Sequence, residues 1–175
     1  LAYAREAFVL GLTEGDLRWY GAARTAMDPW WSAERLSAPL HFMRALVRQG
    51  FHDFAGGLAD FNAAIALDGQ RSAFWSWRFV IHLLVSDMAA ARQDCDTLRQ
   101  RLGAGEGQAC AAVLMYRSGR AADGAALLEQ VVKLPEFQAR QTNTLEVQLP
   151  LGMKPQAGDC AWRVESTRAS VDAES

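Results

Sequence analysis

The feature that most constrains this chain is a recurrence at 34 residues. Ala23, Gly57, Ala91 and Ala125 stand 34 apart and are all small, while Tyr20, Phe54 and Met88 keep the same interval and are all large. Gly69 and Gly103 repeat at that distance, and so do Trp75 and Ala109. Self-similarity at a fixed period of roughly 20–50 residues is the mark of chains built from stacked copies of one small unit. Small residues alone would carry little, because 31 alanines and 14 glycines among 175 residues recur readily by chance. The large residues and the glycine stops in the same register make the case.

Each period holds two helical patterns. Ala4, Ala7, Phe8 and Leu12 mark a first apolar stripe, which Gly15–Asp16 interrupts. Leu17, Tyr20, Ala23 and Met27 form the next and stop at Asp28–Pro29. Ser37 reads as an N-cap with Pro39 in the first turn, where a missing N–H costs little. The helix it starts carries Phe42, Met43, Leu46 and Val47 to Gly50, and Phe54, Leu58, Phe61 and Ile65 make its partner. Ser72 reads as the cap of an apolar helix with Trp75, Phe79, Leu83 and Leu84, and Met88, Ala91, Cys95 and Leu98 follow. Ala104–Gly107 reads as a flexible turn, ahead of a last pair over Ala109–Tyr116 and Gly124–Leu134. No stretch up to residue 139 alternates with the period of two that a strand requires. The expectation is an all-α domain over residues 1–139.

Residues 140–175 differ. Leu145, Val147 and Leu149 alternate with Glu146 and Gln148, and prolines, glycines and a polar end follow. The reading is an irregular, extended or partly disordered tail. Its alternative is a tail whose residues 145–151 pack back on the last helix pair or enter a groove. The chain opens at Leu1, consistent with a fragment or with a signal segment removed. The compartment stays open between cytoplasmic and, after such removal, periplasmic or secreted.

A period of 34 with two helices per unit resembles the tetratricopeptide repeat. Phe54, Gly57, Phe61, Ala64, Leu67 and Asp68 match that family's second-helix pattern, Trp75 and Ala91 continue it, and Tyr116, Gly119, Leu128 and Leu134 fall in a third unit. Phe79 and Val113 depart from it at a site usually small, Cys95 replaces an aromatic, and the third unit is one residue short. The resemblance implies a right-handed superhelical array of antiparallel helix pairs with a concave groove lined by first helices. Carried over position by position, the groove would comprise Phe42, Leu46, Gln49, Ser76, Val80, Leu83, Leu114 and Arg117. That floor is mostly apolar with one cation and would suit a peptide with a hydrophobic side and a carboxylate.

The remaining chemistry is sparse. Lys plus Arg is 18 against 20 for Asp plus Glu, so there is no basic footprint for nucleic acid. No apolar run approaches the roughly 20 residues of a membrane span. His41, His52 and His82 lack zinc-helix spacing, and no Cys-x-x-Cys, phosphate loop or nucleophile elbow occurs, so neither a metal nor a cofactor is expected. His52–Asp53 reads as a solvated turn pair and His82 as a satisfied, partly buried histidine. Cys95 falls on the inward stripe of its helix and Cys110 opens the next, so a disulfide between them is open in an oxidising compartment; Cys160 lies in the tail. Trp75 reads as packing, with Trp77 and the Trp30–Trp31 pair as candidate contact residues. Two functions remain: a non-catalytic scaffold for a protein or peptide partner, or a regulatory or accessory segment of a larger enzyme or signalling protein. Neither fixes an oligomeric state.

Overall fold

In the computed structural model, residues 1–102 and 104–135 are described, and they are arranged as consecutive antiparallel helix pairs. Helix α1 (Ala2–Glu14) pairs with α2 (Leu17–Ala26), and a single turn, α3 (Asp28–Trp31), leads to α4 (Ala38–Gly50) and its partner α5 (Phe54–Leu67). Helix α6 (Ser72–Leu84) pairs with α7 (Met88–Thr97), which continues as a π-helical segment, Leu98–Leu102. Helix α8 (Ala104–Arg117) pairs with α9 (Ala121–Val131). Among the described residues there is no strand. Cys160 and the expected docking segment 145–151 lie outside the described residues.

One local device closes every pair. The turn residue Gly15, His52, Ser86 or Gly119 has a positive φ, between 60° and 84°. The next residue caps the second helix. Asp16, Asp53 and Asp87 each accept a hydrogen bond from a first-turn N–H, at Arg18, Gly56 and Ala90. Their side chains satisfy a donor that the helix itself leaves without a partner. Arg120 takes that place in the last pair and makes no side-chain cap bond. Ser37 and Arg71 occupy the N-cap positions of α4 and α6, again without a side-chain bond, so Ser72 begins α6 and does not cap it.

Small residues stand where paired helices cross. Ala23 and Ala91 are fully buried, and a Cβ on Gly57 would lie 2.9 Å from Ile81 Cδ1 and 3.4 Å from the Ala45 carbonyl. In the last pair this place belongs to Gly124, whose Cβ would meet the Ala112 carbonyl at 2.7 Å, whereas Ala125 is exposed. The interval from Ala91 to Gly124 is 33, and so is that from Phe79 to the buried Ala112. The last pair thus runs one residue ahead of the 34-residue register. The missing residue falls between Ala91 and Ala112, the stretch that contains the π-helical segment. With that shift Ala112 supplies the small first-helix residue, and the departure at Val113 disappears.

The main core joins the first two pairs and α6 through Phe8, Tyr20, Met27, Leu46, Val47, Phe61 and Ile81. Each such side chain, taken fully out of water, contributes about 1.5–3 kcal/mol before ordering costs. A second cluster, Phe79, Ala91, Cys95, Leu98 and Cys110, seats α8 on α6 and α7. Ala104–Gly107 is not a turn but the first turn of α8, which follows the π-helical segment with a single residue between. Gly107 makes that approach feasible, since a Cβ there would stand 2.3 Å from Arg99 Cα.

Candidate functional site

The expected groove residues divide into three groups. Leu46 and Gln49 are buried, with 3% and 8% of their surface exposed, because α1 and α2 pack over α4. No ligand reaches them without displacing core. Phe42 is half-buried, its ring 4.8 Å from Phe74 and 5.7 Å from Phe61. Ser76, Val80, Leu83 and Leu114 are partly exposed on α6 and α8, the last three against the second core cluster. Arg117 is exposed at the end of α8. Under the 33-residue register, the equivalents of Val80 and Leu83 on α8 are Val113 and Tyr116, one residue before Leu114 and Arg117. Tyr116 is 61% exposed.

Trp31, Trp75 and Trp77 are engaged within the fold. Trp77 meets the Phe8 ring edge-on at 5.7 Å, and Trp75 Nε1 donates to the Gly69 carbonyl at 3.0 Å. The Arg24 guanidinium lies 3.8 Å above the Trp31 ring, and Arg78 lies 4.7 Å above Trp75. Their enrichment in the sequence reflects packing and cation–π stacking.

Two buried ion networks went unread in the sequence. Asp60 is 2% exposed and accepts from Arg44 through both oxygens, at 2.7 and 2.8 Å. His41 Nδ1 approaches it at 2.8 Å and Arg48 Nη1 at 3.1 Å. Asp94, 1% exposed, pairs with Arg78 through both oxygens, and His82 Nδ1 stands 3.1 Å from it, in ion-pair range but without a hydrogen bond. Arg44 and Arg78 are 34 residues apart, and so are Asp60 and Asp94. Each arginine also reaches beyond its own pair: Arg44 Nη1 donates to the Trp31 and Ala33 carbonyls, and Arg78 Nη1 to Asn62 on α5. One 34-residue offset, applied to charged residues as well as to small ones, was the signal that could have found them. Both carboxylates are engaged by arginines and hold helices together as counter-ions.

A cleft of about 320 Å³, open to solvent, lies between α7 with its π-helical segment and α8. Its floor is Cys95, Ala111, Leu114 and Met115. Its rim carries Arg92, Arg99 and Arg120 with Ser118, against the single carboxylate of Asp96. Asp96 pairs with Arg99 at 2.8 Å, and Asp123 pairs with Arg120 at 2.8 Å. Arg92 makes no side-chain hydrogen bond or ion pair among the described residues. Cys95 is bonded to Cys110 by a disulfide that ties α7 to α8. Volume at the lower end of ligand clefts, an apolar floor and a few convergent polar groups are the usual makings of a binding site.

No protein family, characterised protein or solved structure matches this chain. The site therefore stands on its own geometry. Among the described residues, no helix is long and apolar enough to cross a membrane, and no group of His, Cys, Asp or Glu is disposed to hold a metal ion.

Proposed function

We propose that the chain is a non-catalytic binding module of the tetratricopeptide kind. Its helix pairs would stack as a right-handed superhelix and receive a protein or peptide segment along the first helices. The observation that carries the reading is the continued accessibility of α6 and α8. Ser76, Val80, Leu83 and Leu114 are each partly exposed, on a floor whose packing fixes their positions, while on α4 the corresponding Leu46 and Gln49 are buried. The receptive stretch in this reading is the α6–α8 half of the array. A preorganised apolar line of this kind suits an extended or helical segment with one hydrophobic side, which binds without reordering the receptor.

Selection of peptides from a random display library on the immobilised full chain tests the proposal. Enriched peptides should share spaced apolar residues, and Leu83→Asp should weaken them by at least about tenfold while leaving helicity intact. A library that yields no enriched peptide, or peptides indifferent to Leu83→Asp, refutes this site.

A further inference from the structure

The cleft between α7 and α8 combines two features that the peptide-binding reading does not use. One is its cationic rim: three arginines against one carboxylate in the lining. The other is that Cys95, half of the disulfide, forms part of its floor, whereas Cys110 is not among the residues that line it. A cleft lined by one sign of charge concentrates counter-ions and raises their encounter rate, by roughly 10- to 1,000-fold in strong cases. We infer that this cleft is an entrance through which small acidic thiols, those carrying a carboxylate, reach and reduce the Cys95–Cys110 disulfide.

Cys95 and Cys110 are equally buried, each 5% exposed, and Cys95 alone of the two lines the cleft, so the attack is assigned to its sulfur. The thiolate of the incoming molecule attacks Cys95 Sγ from the cleft. A new sulfur–sulfur bond forms there as the Cys95–Cys110 bond breaks, and its electron pair leaves on Cys110 Sγ, which takes a proton from water. A second molecule of the same thiol, as thiolate, attacks the thiol sulfur of this mixed disulfide. It departs as the symmetrical small disulfide and leaves Cys95 as the thiolate, which is then protonated. Two thiols are oxidised and one protein disulfide is reduced, so the electrons balance. Arg92, without a partner among the described residues, would attract the carboxylate of the incoming thiol. Arg99 and Arg120 already share their charge with Asp96 and Asp123. The rim's surplus therefore matches a singly charged carboxylate. The product is an array whose last pair has lost its disulfide cross-link to α7, which makes the cleft a redox-responsive joint.

The test uses the full chain with Cys160→Ser, air-oxidised, and follows disulfide loss by mass spectrometry with 3-mercaptopropionate, 2-mercaptoethanol and cysteamine. Each rate is divided by that thiol's rate on 2-hydroxyethyl disulfide, which removes differences in intrinsic reactivity. The anionic thiol should then exceed the cationic one by about tenfold. Salt at about 0.5 M should cut this preference several-fold by screening. Arg92→Gln with Arg120→Gln should bring it within about twofold of unity. Acid-quenched intermediates should carry the thiol on Cys95. A normalised preference below about twofold in the unmutated arginine background overturns the inference, as does a preference indifferent to salt. Free Cys95 and Cys110 in the air-oxidised protein, or the mixed disulfide on Cys110, also overturns it. Salt dependence keeps the outcome decisive if the double variant fails to fold.

Discussion

Gly11→Ala sets two effects of known size against each other. In a helix interior, alanine in place of glycine gains roughly 0.5–1 kcal/mol, because glycine loses more backbone freedom on folding. At this site the new methyl would lie 2.6 Å from Tyr20 Cε1, 2.8 Å from Cδ1 and 2.9 Å from Cζ. Carbon atoms pack best at about 3.5–4.0 Å, so the ring must retreat by close to 1 Å. It has nowhere to go. Gly50 of α4 crowds the same ring, since a Cβ there would come within 2.5 Å of Tyr20 Cδ1, and the Phe8 ring flanks it at 5.8 Å. Overpacking of this kind costs about 1–3 kcal/mol, which exceeds the propensity gain. The net loss of roughly 1–2 kcal/mol should lower the thermal midpoint by about 2–8 °C, measured by circular dichroism. Gly21→Ala is the control: nothing lies within 4 Å of its Cβ position, and it should stabilise by up to about 1 kcal/mol. Tyr20→Leu introduced with Gly11→Ala should recover part of the loss. A Gly11→Ala protein as stable as the parent would mean that the ring is not wedged between two glycines, and the account of how α1, α2 and α4 meet would fall.

Asp60→Ala leaves Arg44 with an uncompensated buried charge, while Arg48 keeps Asp53, and should cost about 3–5 kcal/mol in urea denaturation, whereas the same change at the exposed Asp123 should cost under about 1 kcal/mol. Reducing Cys95–Cys110, which closes a separation of 15 residues, should cost about 3 kcal/mol on the chain-entropy model; a calorimetric midpoint unmoved by reduction would contradict it. Burial raises the Tyr20 phenol above its usual range, so the folded chain holds that proton more tightly than the unfolded one. Its contribution to stability is complete below about pH 10 and is lost as pH rises from the unfolded value through the folded one; Tyr20→Phe should flatten that decline in alkaline urea titrations.

Much of the architecture was legible because stacked pairs demand small residues at crossings and an αL-then-aspartate turn between helices, and both demands write themselves at fixed intervals. Gly57 and Ala91 lie where the spacing places them. The last unit read as one residue short, yet its small crossing residue was placed at Ala125 and not Gly124, since both satisfy the pattern equally on paper. Gly105 and Gly107 suggested a turn by composition, yet Gly107 is needed because the Arg99 backbone passes 2.3–2.8 Å from where a Cβ would stand. The burial of Leu46 and Gln49 depends on α1 and α2 covering α4, a long-range contact with no local signature. The cleft was harder still, because Arg92, Arg99 and Arg120 come from three separate elements and gain meaning only once α8 is seated.

The reach of Arg44 and Arg78 beyond their own pairs bears on how the chain comes apart. Each guanidinium grips the aspartate of its own pair and a group on the element before it, so opening one neighbour strips a buried charge in the next. In a linear array, stability divides into unit terms and nearest-neighbour couplings, and these shared arginines weight the couplings. The coupling runs from α3 to α7 and stops there, since the 33-residue equivalents of Arg78 and Asp94 are Ala111 and Leu127. Across that last boundary the second core cluster and a covalent bond take over. Reduced, the α7–α8 seam rests on that apolar cluster alone, with neither a shared buried arginine nor a cross-link.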